Sequence, residues 1–311
     1  MQNITASNPA TAADRAFGTA DIKLLVLDID GTIAGLSNDI RESVKQAILA
    51  ASSRGVKVAI ATGRMYRSAL RFHRDIGSTL PLICYQGAWI QDPATQKRLR
   101  HLPLSKQTAL QLLDSLEEQH LRSVLSIHFY IDDKLYVPEI TEATRIYAER
   151  SGIEPIALKD LRRDLPGEPT KVLALCDNPE VLDGLLSSMR QRYTPAELYL
   201  TRSVATFFEA THPLANKGDA VQYLAEEFLG LQAANVMAIG DNFNDVEMIA
   251  YAGVGVAMGN APEGVKATAN WVAPDGGRRG GGCDRTICFG RSLIFVAQIA
   301  QGRVCRHLEK I

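Results

Sequence analysis

The residues best equipped for chemistry lie in Asp28-Ile29-Asp30-Gly31-Thr32, directly after the apolar run Leu24 to Leu27. Four apolar residues in a row read as a strand buried on both faces, as in parallel sheets. In open α/β sheets ligands bind outside the carboxyl ends of the strands, where Asp28 and Asp30 would fall. Two carboxylates one residue apart, followed by Gly-Thr, suit work with a divalent metal. Asp and Gly alone would also fit a solvated turn. A calcium loop of the EF-hand type is excluded, because that loop needs Gly at its sixth position and a helix in front. Counted from Asp28 the sixth position is Ile33, and an apolar strand precedes it.

Other runs end in the same way. Val56 to Ala61 stops at Thr62-Gly63-Arg64, and Val236 to Gly240 stops at Asp241-Asn242-Phe243-Asn244-Asp245. If these are parallel strands, their polar ends share one sheet edge although they span more than 200 residues. Carboxylates gathered there repel one another unless a cation sits among them, and hard oxygen ligands favour Mg²⁺ over zinc. Asp28, Asp30, Asp241 and Asp245 are the candidate metal residues. A phosphoryl group suits such a site: the metal neutralises its oxygens, Thr62 and Lys217 hold others, and a carboxylate attacks phosphorus in line. Taken singly, Lys217 reads as a solvated surface lysine and Thr62 as a helix N-cap. In this order and together, they read as one site.

The elements that must position these groups follow from periodicity. Asn38 or Asp39 is expected to cap a helix running to about Ser53, with Ile40, Val44, Ile48 and Leu49 on its apolar face. A helix is predicted over Tyr66 to Asp75, then a strand at Leu82 to Tyr85. From Gln86 to Thr211 the rhythm changes. His128 to Ile131 and Lys134 to Val137 predict a hairpin about Asp132-Asp133, and Lys171 to Leu175 and Ala205 to Glu209 predict further strands. The βα rhythm resumes at Lys217, with a helix over Gly218 to Phe228 carrying Ala220, Leu224 and Phe228 on one stripe. The expected fold is α/β: a Rossmann-like parallel-sheet core (21–85 and 212–275) with an inserted α+β cap (86–211).

The 311 residues are 46% hydrophobic and 22% charged, with net charge −1, an ordinary globular composition without a general nucleic-acid surface or polybasic membrane patch. No run of 18 apolar residues suggests a membrane span. Residues 1–20 read as a loose tail without a secretory h-region. Five scattered cysteines, Cys84, Cys176, Cys283, Cys288 and Cys305, fit a reducing cytoplasm better than a disulfide framework or a zinc site.

The motif set resembles the haloacid dehalogenase-like superfamily, and more narrowly its Cof-type branch, whose large cap is inserted between the second and third motifs. The matching segments are Asp28-Ile29-Asp30-Gly31-Thr32, Ala61-Thr62-Gly63-Arg64, Asn216-Lys217-Gly218 and Gly240-Asp241-Asn242-Phe243-Asn244-Asp245, with Val256 to Ala261 as the usual continuation. The resemblance covers residues 22 to 273. It implies a Mg²⁺-dependent phosphatase of small phosphorylated metabolites and a mobile cap that closes over the site. Asp28 would form an aspartyl-phosphate, and Asp30 would protonate the leaving group and then activate water. Thr62 would bind phosphate, with Gly63 and Arg64 beside it. Lys217 would steady nucleophile and phosphate, Asp241 would ligate the metal, Asp245 would ligate it or order its shell, and Asn244 would support the network. A sugar phosphomutase, or a silent binding protein of the same fold, is the alternative.

Two departures stand out. Gln86-Gly87 replaces the branch's Asn-Gly, which keeps an amide. After Ala273, five glycines among residues 276 to 282 replace an acidic segment and a last helix. Codons for Gly282 to Cys288, read one base later, can spell Val-Ala-Ile-Ala-Pro-Phe, so a frameshift near residue 275 is expected to have produced the atypical tail 276–311.

Overall fold

The computed structural model describes residues 20–35 and 37–273. All but the last residue of the expected tail 1–20, and the glycine-rich segment with its frameshift, therefore lie outside the described residues, as do Cys283, Cys288 and Cys305.

A five-stranded parallel sheet forms the core, in the order β14-β13-β12-β1-β2. Its strands are β1 (Leu24–Leu27), β2 (Lys57–Ile60), β12 (Val236–Gly240), β13 (Val254–Ala257) and β14 (Trp271–Val272). β1 is central and buried on both faces. Leu25 and Leu27 pack with Val44 and Ile48 on one side, and Leu24 and Val26 with Val221, Leu224 and Met248 on the other. Leu27 is in register with both Ile60 and Ile239, so β1, β2 and β12 end level. That register brings Asp28, Thr62 and Asp241 to one edge.

Helices α1 (Glu42–Ser52) and α2 (Tyr66–Asp75) follow the first two strands. α2 keeps its expected bounds. α1 starts later than expected and Leu49 is 60% exposed, the buried stripe being Val44, Ala47, Ile48 and Ala51. Asn38 does not cap α1. It has φ 60°, and its side chain is drawn toward the site described below.

β3 (Leu82–Cys84) joins the β2 side through a parallel bridge between Ala61 and Ile83. It turns through Tyr85-Gln86-Gly87, all at positive φ, into β4 (Trp89–Gln91), which pairs antiparallel with β5 (Arg98–His101). This hairpin falls in the stretch expected to open the inserted module, yet Ile90 is buried with Leu24 and Val26 of the core. The tight turn sends the chain straight back along β3, so the parallel core gains an antiparallel edge.

The cap has a six-stranded sheet, β10-β11-β9-β6-β7-β8. It comprises β6 (Ser126–Ile131), β7 (Lys134–Val137), β8 (Pro155–Ala157), β9 (Lys171–Leu175), β10 (Tyr199–Thr201) and β11 (Phe207–Thr211). Asp132 and Asp133, at φ 46° and 57°, make the β6–β7 turn, the positive-φ pair that matches strand twist. One sheet face (Phe129, Val172, Ala174, Phe208) packs on α3 (Lys106–Leu116) and α5 (Pro179–Arg192). The other (Tyr130, Leu173, Leu135) joins the core cluster, with α4 (Glu142–Ser151) on that side.

Back in the core, α6 (Lys217–Gln222) runs into a π-helical turn at Tyr223–Phe228. The wider turn shifts the stripe: Leu224 stays buried, whereas Phe228 is 45% exposed rather than packed. α7 (Val246–Tyr251) leads to β13.

Candidate active site

Lys217 is the first residue of α6, and the Asn216 side chain fixes it there by accepting the Asp219 amide at 2.8 Å. Its ammonium is fully buried and donates to Asp28 Oδ1 at 2.6 Å and Asp245 Oδ1 at 2.5 Å. Burial would lower the lysine's pKa, but Asp245 and Asp28 more than offset that and raise it. The reading of Lys217 as a surface lysine is therefore excluded.

Asp245 is fixed on both oxygens. Its Oδ2 accepts the Asp241 and Asn242 amides at 2.8 and 3.0 Å. Asp28, Asp241 and Asp245 each bring a carboxylate oxygen within 4.8 Å of the others. Gly31, at φ +85°, lets Asp241 approach, since a Cβ there would stand 2.1 Å from Asp241 Oδ2. Burial chiefly, together with neighbouring carboxylates and against the pull of Lys217, pushes Asp28 up to about 7 and Asp241 up to about 8. One lysine does not neutralise three carboxylates, two of them buried and Asp241 half-buried. The donor set, all hard oxygen, fits a divalent cation of the Mg²⁺ type.

Asp30 turns elsewhere. Arg64 Nε donates to its Oδ2 at 2.7 Å and Arg64 Nη2 to its Oδ1 at 2.6 Å, so its carboxylate stands outside the trio. Burial would raise the Asp30 pKa, but Arg64, then Arg150 and Lys217, hold it below the usual carboxylate range. Thr62 is buried, and its Oγ1 accepts the Arg64 amide at 3.1 Å. The Gly63 carbonyl accepts from Lys171 of β9 at 2.8 Å. Asn244 is buried and donates to Gln86 Oε1 at 3.1 Å, and Gln86 Nε2 donates to Glu209 Oε2 at 3.3 Å. The expected amide of Gln86 thus bridges core and cap.

Comparison with known proteins gives the family. The model of the haloacid dehalogenase-like hydrolase family matches residues 25–280. The chain belongs to the haloacid dehalogenase-like hydrolases. It is 33% identical over 258 residues to YxeH of Bacillus subtilis, covering 80% of this chain and 92% of that protein. It is 27% identical over 269 residues to the pyridoxal phosphate phosphatase YbhA of Escherichia coli, covering 81% and 93%. Among solved structures, a haloacid dehalogenase-like hydrolase from B. subtilis superposes with TM-score 0.69 at 25% identity, covering 81% of this chain and 94% of that one.

Several residues that shape this hydrolase's site were missed from sequence. Lys171 and Glu209 form a buried ion pair at 3.0 Å on the cap face toward Gly63. Their signal was present: Lys171 opens the otherwise apolar β9, and Glu209 is the one charge of β11, between Phe208 and Ala210. Asn38 accepts from Arg64 Nη2 at 2.6 Å and donates to the Arg150 carbonyl of α4 at 2.8 Å, a link between distant segments with no local pattern.

Proposed function

We propose that this protein is a Mg²⁺-dependent phosphatase of small phosphorylated metabolites working through an aspartyl-phosphate. The observation that carries the reading is the Asp28 carboxylate, buried, bonded to Lys217 and set among carboxylates at the strand edge. Asp28, Asp241 and Asp245 are the residues to hold the cation, which when bound neutralises phosphate oxygens and makes phosphorus more electrophilic.

In the first half-reaction an Asp28 oxygen bonds to phosphorus while the ester P–O bond breaks, and the departing alkoxide takes a proton from Asp30. In the second, water attacks phosphorus, Asp30 takes its proton, and the acyl-phosphate bond breaks to return Asp28 and release phosphate. The resting Arg64–Asp30 pair keeps Asp30 ionised, the form the second half requires. The proton for the first half requires Arg64 to leave Asp30, and an entering phosphate dianion offers Arg64 another partner. Thr62 and Lys217 hold the phosphoryl group, and Asn244 keeps the Gln86 link beneath the cap.

The cap, taken as 104–211, covers the leaving group. The phosphatase YbhA makes a pyridine-ring ester one candidate substrate. No helix among the described residues is long and apolar enough to cross a membrane, and the buried free thiols Cys84 and Cys176 fit the reducing cytoplasm we assign. A phosphate-release screen with Mg²⁺ tests the reading: released phosphate supports hydrolysis, and isomerised sugar phosphate without release would make the protein a mutase.

A further inference from the structure

The cap reaches the site from two directions. From α4, Arg150 stands 3.9 Å from Asp30, and its carbonyl is held by Asn38. From the turn between β10 and β11, the Ser203 carbonyl accepts from Asn242 at 2.8 Å, beside Asp241. Tyr147 lies one turn before Arg150, on the same face of α4. Phe207 opens β11 two residues before Glu209, on the same face of the cap sheet. The Tyr147 and Phe207 rings meet at 5.8 Å with a 66° interplanar angle, and Tyr147 also packs edge-on to His128 at 5.2 Å. Both aromatic residues are only half-buried, and a third of the Asp30 side chain is exposed. The pair therefore lies on the cap face from which Arg150 reaches Asp30 and Glu209 reaches Gln86.

We infer that Tyr147 and Phe207 wall the leaving-group pocket and that the preferred substrates are phosphate esters of alcohols bearing a planar aromatic ring, rather than sugar phosphates. The inference rests on the phosphatase reading above. Three charged groups below the wall are engaged with one another or with the core. Glu209 accepts from Lys171, Gln86 and Ser203, Lys171 also holds the Gly63 carbonyl, and Arg64 is bonded to Asp30 and Asn38. A sugar would press hydroxyls against the two ring faces, which accept no ordinary hydrogen bond, and an unmade buried hydrogen bond costs more than a made one contributes. A planar ring needs no such partners and packs favourably edge-to-face on Tyr147 and Phe207. Arg150, half exposed at the same mouth, can stack on it.

The test compares pyridoxine 5′-phosphate, a pyridine-ring ester without an aldehyde to react with lysines, with glucose 6-phosphate. Binding is measured by calorimetry in the Asp28→Asn background with Mg²⁺, and kcat/KM is measured in the otherwise native protein. Ring-ester preference is expected in both, and the preference ratio should fall about tenfold in Tyr147→Ala and in Phe207→Leu. The Leu variant keeps the apolar bulk that folding requires. Tyr147→Phe, which keeps the ring, should retain most of the ratio. Equal binding of the two esters, or a ratio unmoved by Tyr147→Ala and Phe207→Leu, overturns the aromatic wall. Ring-selective binding with no phosphate release from the native protein supports the wall and overturns the phosphatase reading instead.

Discussion

At the scale of single residues, Asp30 and Asp28 are separated by their partners. Lys217 holds Asp28 and Arg64 holds Asp30, so the proposed nucleophile and the proposed acid–base group have separate partners. Asp30→Asn removes the proton shuttle and should lower kcat by about 10²–10⁴-fold. The loss should be larger for an alkyl ester than for a nitrophenyl ester, whose leaving group needs no proton; equal losses would assign Asp30 another role. Asp241 lies in the trio and carries no lysine of its own. Asp241→Asn should therefore raise the Mg²⁺ concentration for half-maximal activity, and excess chelator should stop the native enzyme. Activity that survives chelation would remove the metal from the mechanism. The convergence of Asp28, Asp241, Asp245 and Lys217 was legible in the sequence because they follow strand ends and a helix start. The Arg64–Asp30 pair was not, since nothing in Thr-Gly-Arg tells whether the guanidinium turns to substrate or to a carboxylate.

At the scale of elements, the start of α2 shows why boundaries are read more easily than what secures them. Its N-cap residue, Met65, has no side-chain oxygen to offer, yet the helix begins where its pattern says. The acceptor comes from the cap: Asp133, in the β6–β7 turn, accepts the Tyr66 and Arg67 amides at 2.8 and 2.9 Å and the Tyr85 hydroxyl at 2.8 Å. A cap supplied from 66 residues away leaves no trace in the local sequence. Asp133→Ala should cost about 1–2 kcal/mol, read as a lower denaturation midpoint, because the helix end loses its acceptor. Burial, against the donors around it, pushes the Asp133 carboxyl up from 3.8 to about 6. Its folded pKa being raised, its contribution to stability is full below about pH 4 and declines as pH rises through about 6. Asp133→Asn should flatten that part of the stability profile; an unchanged slope would show that another group carries it.

At the scale of the whole molecule, two sheets meet over one edge, and the contact between them is polar where the chemistry is. The core strands were legible because buried parallel strands are continuous apolar runs. The edge hairpin β4–β5 was not, because its pairing depends on a positive-φ turn after β3 rather than on its own pattern. The Lys171–Glu209 pair is the buried joint between cap and core. Lys171→Met would strand Glu209 without its cation and should cost about 3–5 kcal/mol of stability, measured by denaturant unfolding. A loss well under that would show the pair to be solvated in solution. Exchanging residues 104–211 for the cap of a related phosphatase should transfer ester preference if, as proposed, the core holds the phosphoryl group and the cap covers the leaving group.

The most direct measurement is acid quenching of the enzyme with Mg²⁺ and a hydrolysed ester in the first turnover, followed by peptide mass spectrometry. The expected result is one phosphoryl group on Asp28, absent in Asp28→Asn, which should fold normally and release no phosphate. A phosphoryl group on another residue, or phosphate release by Asp28→Asn at the native rate, would contradict the assignment of Asp28 as nucleophile.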